Sequence, residues 1–72
     1  MPTFGERLKE LRTDKSITQK EMADYLKITV TAYQNYEYDK REMNIKSLTK
    51  LADFFNVSTD YLIGRSDDPI KH

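Results

Sequence analysis

Apolar residues recur along the chain at the three- and four-residue spacing of helices, in separate blocks divided by short polar breaks. Phe4, Leu8 and Leu11 form the first block, and Thr3 with Glu6 three places later has the form of a capping box, so a helix is predicted to about Asp14. Thr18 and Glu21 repeat that box ahead of Met22, Ala23 and Leu26, predicting a short second helix whose small Ala23 leaves room for another helix to cross. Past Lys27 and Ile28, Thr29 is placed to cap a third helix running to about Glu37, with Tyr33 and Tyr36 turned into the core and their hydroxyls reaching outward. Residues Tyr38 to Met43 break the period and read as a loop, in which Asp39 is expected to take a left-handed turn position in place of Gly. Asn44 then caps a fourth helix carrying the strongest apolar stripe of the chain, Ile45, Leu48, Leu51, Ala52 and Phe55. Ser58 opens a last short helix containing Tyr61, Leu62 and Ile63, which Gly64 ends. From Arg65 to His72 the chain is polar and reads as a frayed tail or linker, so residues 1–64 make the expected domain. No strand pattern or internal repeat interrupts this order, and the expected fold is all-α with five helices.

Composition narrows the class. A chain of 72 residues has room for one domain, at the small end where a single core is only marginally stabilising. Cysteine is absent, so neither disulfides nor thiolate zinc sites staple the fold, which suits a reducing cytoplasm. No apolar run approaches the roughly 20 residues that span a bilayer, and the N-terminus lacks a basic-then-apolar secretory layout. A soluble cytoplasmic protein with no membrane partner is expected.

Twelve basic and twelve acidic residues cancel, which argues against a general electrostatic grip on nucleic acid. The balance is uneven, however. Arg7, Lys9, Arg12, Lys15 and Lys20 dominate the first 20 residues, and Lys40, Arg41, Lys46 and Lys50 dominate residues 38–50. Asp53, Asp60, Asp67 and Asp68 weight the C-terminal end the other way, against Arg65 and Lys71.

The run Ile28 to Tyr36 carries no charged residue, although charged residues make up 33% of the chain. On a helix, Thr31, Gln34, Asn35 and Tyr38 fall at i, i+3, i+4 and i+7, a single stripe of amides and hydroxyls suited to base edges. A solvated helix face is the plain alternative. Two helices joined by about three residues, with a small residue at the crossing, form a helix-turn-helix arrangement.

The ordered set Leu8-Lys9-Glu10-Leu11-Arg12, Thr18-Gln19-Lys20-Glu21-Met22-Ala23, Tyr36-Glu37, Leu51-Ala52 and Asn56-Val57-Ser58-Thr59-Asp60-Tyr61-Leu62-Ile63-Gly64 resembles the repressor-type helix-turn-helix family, the lambda repressor and Cro-like XRE group. The resemblance covers roughly residues 4–64. It implies a lambda-repressor-like five-helix domain whose third helix enters the major groove, usually as a homodimer on a two-fold related operator of double-stranded DNA. It puts Val30, Thr31, Gln34 and Asn35 at base-facing positions. Gln34 and Asn35 each offer a donor and an acceptor that match N6 and N7 of adenine, Thr31 offers a hydroxyl or a methyl contact, and Val30 only an apolar one.

By the same resemblance Gln19, Lys40 and Arg41 are expected on phosphates, against plainer roles in local capping or as solvated charges. Lys46 and Lys50 are weaker candidates. Arg12 and Glu37 occupy positions that often pair in this family, a structural role. The chain departs from the family pattern at Asp39, where Gly is frequent, and at Met43, where Pro is frequent; both bear on the reach of Lys40 and Arg41. Phe54 and Ile63 lie off the main stripe and are candidates either for a dimer contact or for the edge of the core.

No nucleophile, base or metal cluster is legible, since the one histidine is the terminal His72 and Asp67-Asp68 lacks further spaced ligands. Neither an enzyme nor a cofactor is expected. The leading expectation is a sequence-specific transcriptional regulator, most simply a repressor. The alternative is a protein-binding helical module such as an antitoxin or anti-repressor partner, which net neutrality favours. A further C-terminal domain or regulatory protein partner is compatible with the first.

Overall fold

Each helix begins where a short polar side chain can accept from an otherwise unpaired backbone N–H, and the computed structural model, which describes residues 2–70, places them accordingly. The described residues form α1 (Phe4–Asp14), α2 (Gln19–Leu26), α3 (Val30–Glu37), α4 (Ile45–Phe55) and α5 (Thr59–Leu62). Thr3 and Thr18 close full capping boxes with Glu6 and Glu21, and Thr29, Asn44 and Ser58 cap the other three through the N–H three residues on. Each such cap contributes about 1 kcal/mol.

The helices end alike as well. After each one a residue with positive φ turns the chain, at Ser16 (57°), Lys27 (59°), Asp39 (59°), Asn56 (55°) and Gly64 (82°). Two hydrogen bonds lock each turn back onto the last helical carbonyls, for example Ile28 N–H to Ala23 O at 3.0 Å and Lys27 N–H to Asp24 O at 3.1 Å. This is the Schellman arrangement, and only the last of the five uses the residue that adopts it without cost.

The core consists of Leu8, Met22, Ala23, Tyr33, Leu51, Ala52, Phe55, Val57 and Leu62. It draws on α1 to α5, and α1 packs against both α3 and α5 while α2 packs on α3 and α4 on α5. Fully buried Ala23 lets α3 cross close to α2.

Three expectations change. Ile45 is 80% exposed, because the first residue of α4 lies ahead of the turn at which that helix meets the core. The Tyr33 hydroxyl points inward, donating to Glu37 Oε2 at 2.6 Å. The stretch after Gly64 folds back: Ser58 N–H donates to Pro69 O at 3.0 Å, and Arg7 Nη2 reaches Asp67 Oδ1 at 3.4 Å while its guanidinium stacks 3.9 Å above the Tyr61 ring. Lys71 and His72 lie outside the described residues. Among the described residues no helix is long and apolar enough to cross a membrane.

Candidate nucleic-acid interface

Lys27, Ile28 and Thr29 join α2 to α3, with Lys27 in the left-handed region and Thr29 as the next cap. That junction fixes the angle between the two helices. Tyr33 and Glu37 lie one turn apart on the buried face of α3, and Val30 and Tyr36 flank them partly buried against the core. Thr31 is exposed, Gln34 and Asn35 are half-buried, and Tyr38 at the C-cap is 54% exposed. Of the four expected base-facing residues, Thr31, Gln34 and Asn35 therefore share the outer face, and Val30 divides its surface between that face and the core.

Two couplings to α1 hold the C-terminal end of α3. Arg12 Nε lies 2.5 Å from Glu37 Oε2 and Arg12 Nη2 lies 3.3 Å from Oε1, while Arg12 Nη1 also donates to Ile17 O at 2.7 Å. The Glu37 side chain is fully buried, and it also accepts from the Tyr33 hydroxyl and from Gln19 Nε2 at 3.1 Å. Burial pushes the Glu37 carboxyl up, but the hydrogen bonds from Arg12, Tyr33 and Gln19 outweigh it and hold the group below the usual carboxylate value. Burial, with the neighbouring Glu37 carboxylate, raises the Tyr33 phenol far above its ordinary range, so it stays a donor. The Glu37 bond raises Arg12 further.

The second coupling was not legible beforehand. Asp39, just past the end of α3, accepts from Gly5 N–H at 2.9 Å and from the Thr3 hydroxyl at 2.5 Å, so the residue that turns the loop also caps α1. Gly5 permits the approach, since a Cβ there would lie 2.2 Å from Glu37 O. A Gly within a helical pattern is unfavourable relative to Ala, and at position 5 it is a sign in the sequence that something packs against the helix. The departure from Gly at position 39 thus fixes the loop instead of loosening it.

Lys40 and Arg41 follow in this anchored loop, both exposed, beside a cavity of about 470 Å³ shared with Phe4, Met43, Leu48 and Ile63. Phe54 lies elsewhere, with its ring 4.6 Å from Tyr25 and 5.0 Å from Phe55. The two candidate dimer residues occupy different surroundings. Lys50 sits over Tyr25, 4.8 Å from the ring.

Gln19 opens α2, where the first backbone N–H groups have no intrahelical acceptor and can meet an anion. Its side chain is engaged within the protein: Nε2 donates to Glu37, and Oε1 accepts from Gln34 Nε2 at 3.0 Å. The sequence pattern did not show that link.

A neutral donor–acceptor face on a clamped helix, flanked by exposed cations, suits reading of base edges with phosphates on either side. Comparison with known proteins agrees with this architecture. Residues 8–62 match the helix-turn-helix family. The SPbeta prophage-derived HTH-type transcriptional regulator YonR of Bacillus subtilis is 52% identical over 83% of this chain and 56% of its own length. The HTH-type transcriptional regulator ImmR of the same organism is 45% identical over 90% of this chain and 51% of its own. The cryptic phage CTXphi transcriptional repressor RstR of Vibrio cholerae is 38% identical over 83% of this chain and 54% of its own. The chain spans about half the length of these relatives. With the two capped helices, the three-residue junction and this match over most of its length, the chain belongs to the XRE-type helix-turn-helix family of transcriptional regulators.

Proposed function

We propose that this chain binds double-stranded operator DNA with α3 in the major groove, as a homodimer on two-fold related half-sites, and represses transcription in the cytoplasm. The observation that carries the reading is the outer face of α3. Thr31, Gln34 and Asn35 stand there without a charged residue beside them on that face, on an element anchored through buried Glu37 and through Asp39 to α1. Val30 adds an apolar contact at the helix start. Gln19, through its backbone N–H at the start of α2, and Lys40 and Arg41, in the tethered loop, supply the phosphate contacts.

The size of α3 argues for two copies. Its 8 residues make a rod of about 12 Å, which follows roughly four base pairs of groove. So short a site is not distinctive in a genome, and a two-fold pair doubles it. Phe54 and Ile63 are the proposed dimer contacts. Relatives at the same 38% identity include a named repressor, RstR, and a named activator, BcrR, so a reporter measurement decides the direction of control.

Selection from random duplexes at physiological salt tests the reading. An inverted repeat with half-site centres about 34 Å apart, or a multiple of it, is expected. Enrichment of an unsymmetrical site would overturn the dimer, and no enrichment would overturn sequence-specific binding. Placing the enriched site over a reporter promoter distinguishes repression, in which expressing the chain lowers output, from activation.

A further inference from the structure

The hydrogen bond between Gln19 and Gln34 has a direction, and the core sets it. Glu37, ionised and fully buried, can only accept, and its two oxygens take four bonds from Arg12 Nε, Arg12 Nη2, the Tyr33 hydroxyl and Gln19 Nε2. Gln19 therefore has to turn its NH2 group toward Glu37. The reversed amide would set a carbonyl oxygen against a carboxylate oxygen at 3.1 Å. With the amide fixed this way, its own oxygen faces Gln34, 3.0 Å from Nε2. Gln34 in turn has to present NH2 to that oxygen, which leaves its carbonyl and one remaining N–H for the outside. Orientation of an amide is assigned from such networks, and here the assignment begins at a group that cannot donate.

We infer that Gln19 is a positioning residue for recognition: it passes the acceptor character of buried Glu37 outward to Gln34, and so restricts Gln34 to adenine against guanine. The inference rests on the proposed role of α3 as the base-contacting helix. Adenine offers the N6 amino group as donor beside N7 as acceptor, the complement of a carbonyl with one N–H. Guanine offers O6 and N7, both acceptors, so the one remaining N–H could meet only one of them while the Gln34 carbonyl would face the other, acceptor against acceptor. A glutamine free to turn over would serve either purine. The network removes that freedom, so a residue at the start of α2 that touches no base edge sets which base is chosen by α3.

Two measurements test this, one without DNA. In the Gln19→Met variant, which keeps the length of the side chain and removes its hydrogen bonds, the side-chain NH2 resonances of Gln34 are expected to move to solvent-exposed shifts and exchange rates. The rest of the spectrum reports that the domain is folded. Unchanged Gln34 resonances would overturn the coupling whatever the DNA shows.

In the second measurement, wild type, Gln34→Ala and Gln19→Met are each taken through selection from random duplexes. Gln34→Ala is expected to relax an A·T pair, and Gln19→Met to relax that same pair by about tenfold, admitting G·C, with the other positions retained. Relaxation of a G·C pair by Gln34→Ala, or full A·T preference in Gln19→Met, would overturn the inference. If Gln34→Ala relaxes no position, the base-contacting role of Gln34 falls and the inference with it, and the resonance result then shows whether the internal network exists regardless.

Discussion

Replacing Glu37 with Ala removes the anion at the centre of the domain and leaves Arg12, 8% exposed, with its charge and only the Ile17 carbonyl as partner. The Tyr33 hydroxyl and the Gln19 amide lose their acceptor at the same time. Breaking a buried pair on one side costs about 3 to 5 kcal/mol. A domain of this length has a total stability of about 4 to 11 kcal/mol, so the variant is expected to lose roughly a quarter of it or more. At about 4 to 8 °C per kcal/mol, Tm falls by at least about 12 °C, read by circular dichroism during thermal and urea unfolding at neutral pH. Repeating the melts at falling pH gives a second check. The folded pKa of Glu37 lies below the ordinary value of 4.5, so its contribution is complete above that pH and is lost as pH drops through the folded value. The gap between wild type and variant should therefore be widest at neutral pH and close in acid. A combined Arg12→Met, Tyr33→Phe and Glu37→Leu variant, which removes the ion pair and the Tyr33 hydroxyl together and leaves only the Gln19 amide without its acceptor, should recover most of the loss. A Glu37→Ala loss under about 1 kcal/mol, or a gap that widens in acid, would refute the reasoning.

Gly5→Ala forces a Cβ to 2.2 Å from the Glu37 carbonyl and should destabilise by several times the roughly 1 kcal/mol that Ala ordinarily gains over Gly in a helix, measured by urea unfolding. Lys27→Gly relieves a positive φ of 59° at an exposed position and should raise stability by about 1 kcal/mol by the same assay; a loss would show that the Lys27 side chain does more than turn the chain. Lys40→Ala and Arg41→Ala should weaken binding to specific and random duplexes alike, each lowering the slope of log affinity against log salt by about 0.9; an unchanged slope removes that residue from the interface.

The local grammar of the helices was legible because it acts within four residues. Thr3, Thr18, Thr29, Asn44 and Ser58 all cap as their spacing predicts, and Asp39 turns the chain as expected of a short polar side chain. Distance along the chain is what hid the rest. Asp39 meets Gly5 34 residues away, and Gln19 meets Gln34 and Glu37 across the α2–α3 junction, so neither link leaves a periodic trace. Ile45 departs from its stripe because a period extrapolated to the first residue of a helix assumes that the core extends that far, and α4 begins outside it. Arg7 shows the opposite error of scale. Counted among the basic residues that weight the first 20 positions, it is 5% exposed, because α1 turns it onto the Tyr61 ring, and its Nε finds no partner among the described residues.

The left-handed turns that end α1, α2 and α4 carry Ser16, Lys27 and Asn56, where Gly would sit without strain. Each lies outside the outer face of α3. Under the proposed function, a new operator requires changes on that face or in the Gln19 link behind it, and most such changes cost stability. The lost stability can then be restored at the Ser16 and Asn56 corners, one exchange at a time, away from both that face and the α2–α3 junction. On the proposed function, the capacity of this domain to evolve toward new DNA sequences is thus set partly by turns that lie outside the reading face.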